Sequence, residues 1–305
     1  MAFNETSKIA VLERILQMIF ARDLGNPEGP VLMPDNSWLV TEMRPDRGCV
    51  THISSDGKIR RVVAKTGRPN GLTRARDGLI WVAESVNPPS LLRMTTDGKC
   101  DVVMTECDGQ PFLFPNDLRF GPDGALYMTD SGVPFKEWSQ MGPEQRGQAR
   151  PDGRLYRIDP REKTIQKLDS GICFANGIAF GPDRNLYVSA TVSGMVYKYE
   201  WRDSRVGKRE DFGNVVDPSL PVGFRGPDGM AFGMDGNLYV TVSREGDVAV
   251  LNPEGKVVRR LKLEGPSPTN IAFGPRGSRK IYVTEQGIGY LEVHDVETDG
   301  LSLYD

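Results

Sequence analysis

The sequence predicts an all-β fold, a six-bladed β-propeller with four-stranded blades around a central channel. Three observations carry this reading. A unit reading roughly Asn-Gly or Asn-Asp, then Phe-Gly-Pro-Asp-Gly, then Leu-Tyr-Val-Thr recurs six times, strictly or loosely, along the 305 residues. Its anchor position, held by Glu28, Asn70, Asn116, Asn176, Asp228 and Asn270, advances in steps of 42, 46, 60, 52 and 42 residues. Blades of four strands need roughly 40–50 residues each, and longer steps carry insertions that map to loops on one face. Each unit also begins as a hairpin and is followed by a second pair of short strands, which completes a blade.

Taken in order, the elements start with Thr6 to Ala21 (TSKIAVLERILQMIFA), the one stretch with dense apolar recurrence. It reads as a short amphipathic helix or, at its end, as the outer strand that closes the ring; a short apolar run does not separate the two. Residues 1–24 are therefore an N-terminal extension with a candidate closing strand, whose partner is the C-terminal IGYLEVHDVET. PEGPVLMPDNSWLVTE opens the first blade at Pro27, and PNGLTRARDGLIWVAE the second at Pro69. In PNDLRFGPDGALYMTD, from Pro115, Leu118 and Phe120 alternate with Arg119. That is the period of a strand with one buried face, and Pro-Asp-Gly supplies the turn to its partner. The outer pair follows as GRLYRID and TIQKLDS. ANGIAFGPDRNLYVSA from Ala175 and PDGMAFGMDGNLYVTV from Pro227 repeat the pattern, and TNIAFGPRGSRKIYVTE from Thr269 closes it. The repeat runs without a linker, so the chain reads as one domain, with residues 131–153 a lid-like insertion in the longest step.

Composition narrows the function classes. A net charge of −3 offers no basic stripe for nucleic acid. No apolar run approaches the roughly 18 residues of a membrane span. The N-terminal apolar stretch is interrupted by Glu13, Arg14 and Arg22, unlike a secretory leader, so a cytoplasmic protein is expected. Cys49, Cys100, Cys107 and Cys173 lack CxxC spacing, which argues against a thiolate zinc site; they read as reduced thiols, with Cys100 and Cys107 spaced so that a bridge between them stays open.

Only two histidines occur, His52 and His294, both away from the anchor positions, which weakens nucleophilic histidine chemistry. No phosphate-cradling glycine motif is present. The anchors are the richer signal. A propeller turns the start of every blade toward the central channel, so these six side chains converge despite their separation in sequence. All carry acceptor oxygens and two are carboxylates. Calcium and other hard cations bind that mixture of carboxylate and carbonyl oxygen. Asn-Gly and Asp-Gly are also turn formers, kept in repeats for geometry alone. Turn chemistry does not account for a Glu in EGP, however, and the ring as a set favours a site.

The ordered motifs EGPV at Glu28, RPNGL at Asn70, PND with YMTD at Asn116 and Asp130, ANGIAF at Asn176 and GPDGMAF at Asp228 resemble the family of senescence marker protein (regucalcin), gluconolactonase and LRE-like relatives. The resemblance covers nearly the whole chain and looks closer to microbial gluconolactonases than to animal regucalcin. It implies one divalent cation, first of all calcium, with zinc, manganese or magnesium as substitutes, held by Glu28, Asn116, Asn176 and Asp228. The implied reaction is hydrolysis of a lactone or similar ester, with Asp228 as general base. It also implies that Asn70 and Asp117 orient substrate or the metal shell, and Asp130 joins them as a substrate-side residue.

Departures from the family pattern bear on the substrate. Family members commonly place an Asp where YVSATVSG has Ala190, which counts against a polyhydroxylated sugar lactone. The insertion brings Phe135, Trp138 and Met141 to a channel mouth, and Phe114 sits just before Asn116, as expected of a less polar pocket; a solvated loop with packed aromatics is the alternative. Two other functions share the fold: a binding propeller whose cation is only structural, and a non-hydrolytic or phosphotriesterase-type enzyme. The expected partner is a small lactone or ester. Oligomeric state leaves no mark in the sequence.

Overall fold

Turn chemistry and alternation build this molecule blade by blade. The computed structural model describes residues 18–220, 223–302 and 304. Its described strands form six four-stranded antiparallel sheets and one short hairpin, Glu106–Cys107 with Gln110–Pro111. Sheets one to three comprise Pro27–Leu32, Trp38–Glu42, Cys49–Ile53 and Arg60–Lys65; Pro69–Arg74, Ile80–Glu84, Ser90–Met94 and Cys100–Met104; and Pro115–Phe120, Leu126–Asp130, Gly153–Asp159 and Thr164–Ile172. Sheets four and five comprise Ala175–Phe180, Leu186–Ala190, Met195–Arg202 and Arg205–Asn214, then Gly226–Phe232, Leu238–Ser243, Asp247–Leu251 and Val257–Lys262. The sixth takes Pro268–Phe273, Lys280–Glu285 and Tyr290–Asp295 from the end of the chain and its outer strand, Ile19–Ala21, from the beginning. The first strand of each sheet packs on that of the next, and the sixth returns to the first, so the fold is a six-bladed propeller. The helical reading of Thr6 to Ala21 falls largely on residues 6–17, outside the described residues.

The core is a set of layers between blades. Trp38, Val40 and Ile53 meet Tyr282 and Leu291 where the first blade faces the sixth. Tyr127 and Leu155 meet Ile178, Leu186 and Val188 between the third and fourth. The recurring residues have three mechanical jobs. The Asp of each Gly-Pro-Asp-Gly-type turn accepts the backbone N–H two residues on, as Asp123 does from Ala125 (3.2 Å), Asp183 from Asn185 (3.1 Å) and Asp235 from Asn237 (3.1 Å). The Tyr of Leu-Tyr-Val packs its ring between blades and donates its hydroxyl to that Asp, most tightly from Tyr187 to Asp183 at 2.9 Å. The Thr or Ser that follows stitches blades together: Thr41 Oγ1 donates to the Asn70 carbonyl (2.8 Å), Ser189 Oγ to Asp228 O (2.7 Å) and Thr241 Oγ1 to Thr269 O (2.8 Å).

The Asn-Gly and Asp-Gly pairs at the anchors are not turns. Asn70, Asn176 and Asp228 lie inside first strands, and none has a positive φ. Their glycines are there for close packing: a Cβ on Gly177 would meet the Asp228 carbonyl oxygen at 2.3 Å, and one on Gly71 the Asn116 carbonyl oxygen at 2.7 Å. The lid-like insertion also holds two short helices, Phe135–Gln140 and Pro143–Gln148, which no periodicity in the sequence predicts. Pro143 at the first helical position and Gln145 reaching back to the Gly142 N–H (2.8 Å) start the second of them. All four cysteines are free. No helix among the described residues is long and apolar enough to cross a membrane.

Candidate active site at one mouth of the channel

Every first strand breaks its pairing register at the anchor, between Glu28 and Val31, Pro115 and Leu118, Ala175 and Ile178, and Pro227 and Met230 among others. Such irregularities re-aim side chains. Here they turn Glu28, Asn70, Asn116, Asn176 and Asp228 into one cavity of about 260 Å³.

Hydrogen bonds settle how the two key amides face. Ser131 Oγ donates to the Ala175 carbonyl (3.0 Å), so it accepts from Asn116 Nδ2 (2.9 Å). Thr191 Oγ1 donates to the Pro227 carbonyl (2.8 Å) and accepts from Asn176 Nδ2 (3.0 Å). A hydroxyl has one proton, so these bonds also fix which amide atom is oxygen. Asn116 Oδ1 and Asn176 Oδ1 are left buried with no partner, and so is Glu28 Oε2. Unpaired buried acceptors are rare and costly. Three of them on residues lining one cavity, with the Asp228 carboxylate on the same wall, make an acceptor-only set suited to a hard divalent cation. The set uses two carboxylates and two amides; among the described residues no cluster of three or more His, Cys, Asp or Glu side chains could hold a metal.

For both carboxylates burial outweighs the relief the protein gives, which for Asp228 is a hydrogen bond from Asn176. Burial, then the Asp117 charge, pushes Glu28 up to about 7, against hydrogen bonds from Thr269 and Asn270. Asp228 keeps a little surface at the cavity but is enclosed by protein, and burial followed by the Glu28 and Asp117 charges holds it well above the ordinary carboxylate range.

Asn270, the sixth anchor, differs from the other asparagines. Its Nδ2 donates to Glu28 Oε1 (2.9 Å) and Asp117 Oδ2 (3.2 Å), and its oxygen accepts from the Ile271 N–H (2.8 Å). It offers the channel a donor and belongs to a floor made with Asp117 and Arg119, whose Nη1 is 3.7 Å from Asp117 Oδ1. Below that floor lies a larger cavity of about 600 Å³, walled mainly by Val31, Phe120, Phe180, Phe232 and Phe273. Its lining is mainly apolar, so the smaller one is the candidate site.

Two expected substrate residues are elsewhere. Asp117 is fully buried in the floor, where its Oδ1 accepts the Leu118 N–H (2.8 Å) and its Oδ2 the Asn270 amide. Asp130 accepts N–H groups of Leu113 (2.8 Å), Phe114 (3.1 Å) and Gly132 (2.8 Å), and so fastens the loop that presents Phe114. Glu84 and Glu285, at the same place in their blades, fasten loops in the same way. Ala190 takes this position in the fourth blade, buried among apolar neighbours and away from the cavity, so its identity carries no information about the substrate. Phe114, Phe135 and Trp138 do line the cavity, with Phe174 and Phe224. His52 sits in a third strand, and His294 bonds Glu292 (2.9 Å); neither reaches the site.

Residues that the sequence reading passed over are Ser131, Thr191, Arg68, Phe174 and Phe224. For two, Arg68 and Phe174, the signal was present. Like Asn26 and Phe114, each stands two residues before an anchor, in the segment that enters the first strand, and all four line the cavity.

The family model described as SMP-30/Gluconolactonase/LRE-like region matches residues 26–287. A gluconolactonase of Zymomonas mobilis is 26% identical over 277 residues, covering 85% of this chain and 76% of that protein. Several other curated relatives are spanned over only 49–58% of their length. Among solved structures, a gluconolactonase of Xanthomonas campestris superposes with a TM-score of 0.74 at 23% identity, covering 90% of this chain and 88% of that one. A calcium-binding regucalcin of Agrobacterium tumefaciens superposes with a TM-score of 0.74 at 18% identity, covering 94% and 98%. At these identities the structures speak for the fold.

Proposed function

Because this chain belongs to the SMP-30/gluconolactonase/LRE-like family, we propose that it is a metal-dependent hydrolase that opens a lactone ring in the cavity around Glu28, Asn116, Asn176 and Asp228. The observation that carries the proposal is the trio of buried, unpartnered oxygens beside Asp228. Those four residues would hold the cation, with calcium the first choice for an all-oxygen set. When bound, a divalent cation supplies positive charge that polarises the lactone carbonyl and offsets the two carboxylates.

The chain's own groups supply the rest. Asp228 is the general base: its carboxylate takes a proton from the attacking water as the water oxygen bonds to the carbonyl carbon. Burial and the neighbouring Glu28 and Asp117 charges raise its pKa, which makes it a stronger base than an ordinary carboxylate. The ring C–O bond then breaks, and the proton held by Asp228 passes to the departing alkoxide, which gives a hydroxy acid. Asn70 borders the same space and positions substrate. The aromatic wall of Phe114, Phe135 and Trp138 excludes water and favours a ring with an apolar face.

The test is turnover of glucono-, galactono-, γ-butyro- and long-chain lactones after chelator treatment and after restoring calcium, zinc, manganese or magnesium. Turnover should return with metal and fall by at least about 10²-fold in Asp228→Ala, as for loss of a general base. A metal-dependent rise in melting temperature without turnover on any lactone would instead indicate a binding propeller.

A further inference from the structure

The mouth of the cavity is a collar of aromatic rings with arginines laid on them. Phe114 contacts Phe135 (ring centroids 5.6 Å apart) and Phe174 (5.7 Å), and Trp138 contacts Phe174 (4.3 Å) and Phe224 (5.3 Å). The Arg68 guanidinium lies 4.0 Å from the Phe135 centroid and 5.1 Å from that of Phe114. Arg146 lies 5.4 Å from the Trp138 ring, and Arg244 5.7 Å from that of Phe224. All three line the cavity.

The side-chain hydrogen-bond partners of Arg68 and Arg146 are neutral. Arg68 Nη1 reaches Ser85 Oγ at a long 3.4 Å. Arg146 bonds the carbonyls of Trp138 (3.2 Å) and Ser139 (3.5 Å). Burial draws Arg68 down to about 10, which leaves it charged at neutral pH, with the Glu84 and Glu28 charges opposing the fall. Among the described residues no carboxylate lies within ion-pair distance of Arg68, and a cation so enclosed by aromatic rings carries a desolvation cost that an incoming anion can offset. Arginine's planar fork matches an oxyanion in two parallel hydrogen bonds, and ring stacking pre-orients it. A neutral polyol would meet few acceptors on this wall.

Resting on the lactonase reading, we infer that the lactone taken by this site carries an oxyanion substituent, a carboxylate or sulfonate, that Arg68 holds at the mouth while the ring carbonyl reaches the Asp228 end. Arg146 and Arg244 add a positive field along the entry. The volume of about 260 Å³ lies below the roughly 300–1,000 Å³ of ordinary small-molecule pockets, which limits the ligand to one ring with a short acidic arm.

The experiment compares three probes that share one ring: 5-oxotetrahydrofuran-2-carboxylate, its carboxamide, and the analogue with a methanesulfonate arm. With the calcium-loaded protein, the acid-to-amide ratio of kcat/KM should be at least about tenfold and should fall toward one in Arg68→Gln, chiefly through KM; Arg68→Lys should keep part of it. The sulfonate arm ranks the two anion classes. Should Arg68→Gln fold poorly, the ratio in the unaltered protein should still fall with added salt, because the attraction is screened. A ratio near one, or a preference for the amide, overturns the inference. If no probe is hydrolysed, calorimetry separates the two readings. Acid binding that exceeds amide binding and is lost in Arg68→Gln keeps the anion site and rejects the hydrolase. Equal binding of acid and amide rejects the anion site.

Discussion

The oxygen of an asparagine side chain faces a cavity only if something else holds its nitrogen. Ser131 and Thr191 do that for Asn116 and Asn176, and both hydroxyls are themselves committed to a backbone carbonyl of the next blade. Blade-to-blade stitching and the orientation of each amide thus share one atom. Replacing Thr191 by Val keeps the shape and removes the hydroxyl, so Asn176 loses the bond that aims it. Outer partners of metal ligands typically contribute about 10–100-fold in affinity. Calcium titration by calorimetry should show a loss of that size in Thr191→Val, with the β-sheet circular dichroism unchanged. An unchanged affinity would remove Asn176 from the ligand set.

At the scale of the element, the repeat sequence describes a hairpin fastened at both ends. The turn Asp accepts a backbone N–H and a Tyr hydroxyl, and a carboxylate at the end of the second strand ties down the loop before a first strand. Asp183 allows a pH test. Burial works against its charge, but hydrogen bonds from Lys198, Tyr187 and Asn185 outweigh that and hold its pKa below the ordinary 3.8. A carboxyl lowered on folding contributes stability that is present above its unfolded pKa and is lost as pH falls through the folded value. Asn can keep the turn but not the charge. The stability advantage of the native protein over Asp183→Asn should therefore hold from pH 7 to about 5 and shrink toward pH 2 to 3, as read from urea midpoints. A difference independent of pH would mean that the charge adds nothing.

Over the whole molecule, the ring closes by joining the two ends of the described chain. Ile19–Ala21 supplies the outer strand of a sheet whose other three strands come from Pro268–Asp295, and Phe20 packs edge-on against Tyr282 with ring centroids 5.0 Å apart. Removing residues 1–21 leaves the Tyr290–Asp295 edge open and uncovers Tyr282. Burial of one or two large apolar side chains contributes about 1.5–3 kcal/mol each. The melting temperature should accordingly drop by roughly 5–10 °C, and aggregation should rise through the unpaired edge. An unchanged melt would show that the sixth blade holds without its outer strand.

Blade count, strand pairs and the residues that face the channel can all be read along the chain. Each of these follows from a local period: alternation along a strand, Asp-Gly at a turn, and an anchor that returns at blade spacing. The sequence also places Glu28, Asn116, Asn176 and Asp228 together, because equivalent positions of a closed repeat must converge. Which partner each convergent side chain meets emerges only once the blades are packed. Asn270 and Asn116 are the same residue type at the same repeat position, yet one turns its nitrogen to Glu28 and the other leaves its oxygen bare. Asp117 and Asp130 sit in the most regular copy of the motif and are spent on the floor and on a loop. The aromatic and arginine collar gathers Arg68, Phe114, Phe174 and Phe224 from four different blade-entry loops with Trp138 of the insertion. A repeat period fixes where a backbone returns. Which hydrogen-bond partner each side chain meets depends on the neighbouring blade, and that neighbour is supplied by packing.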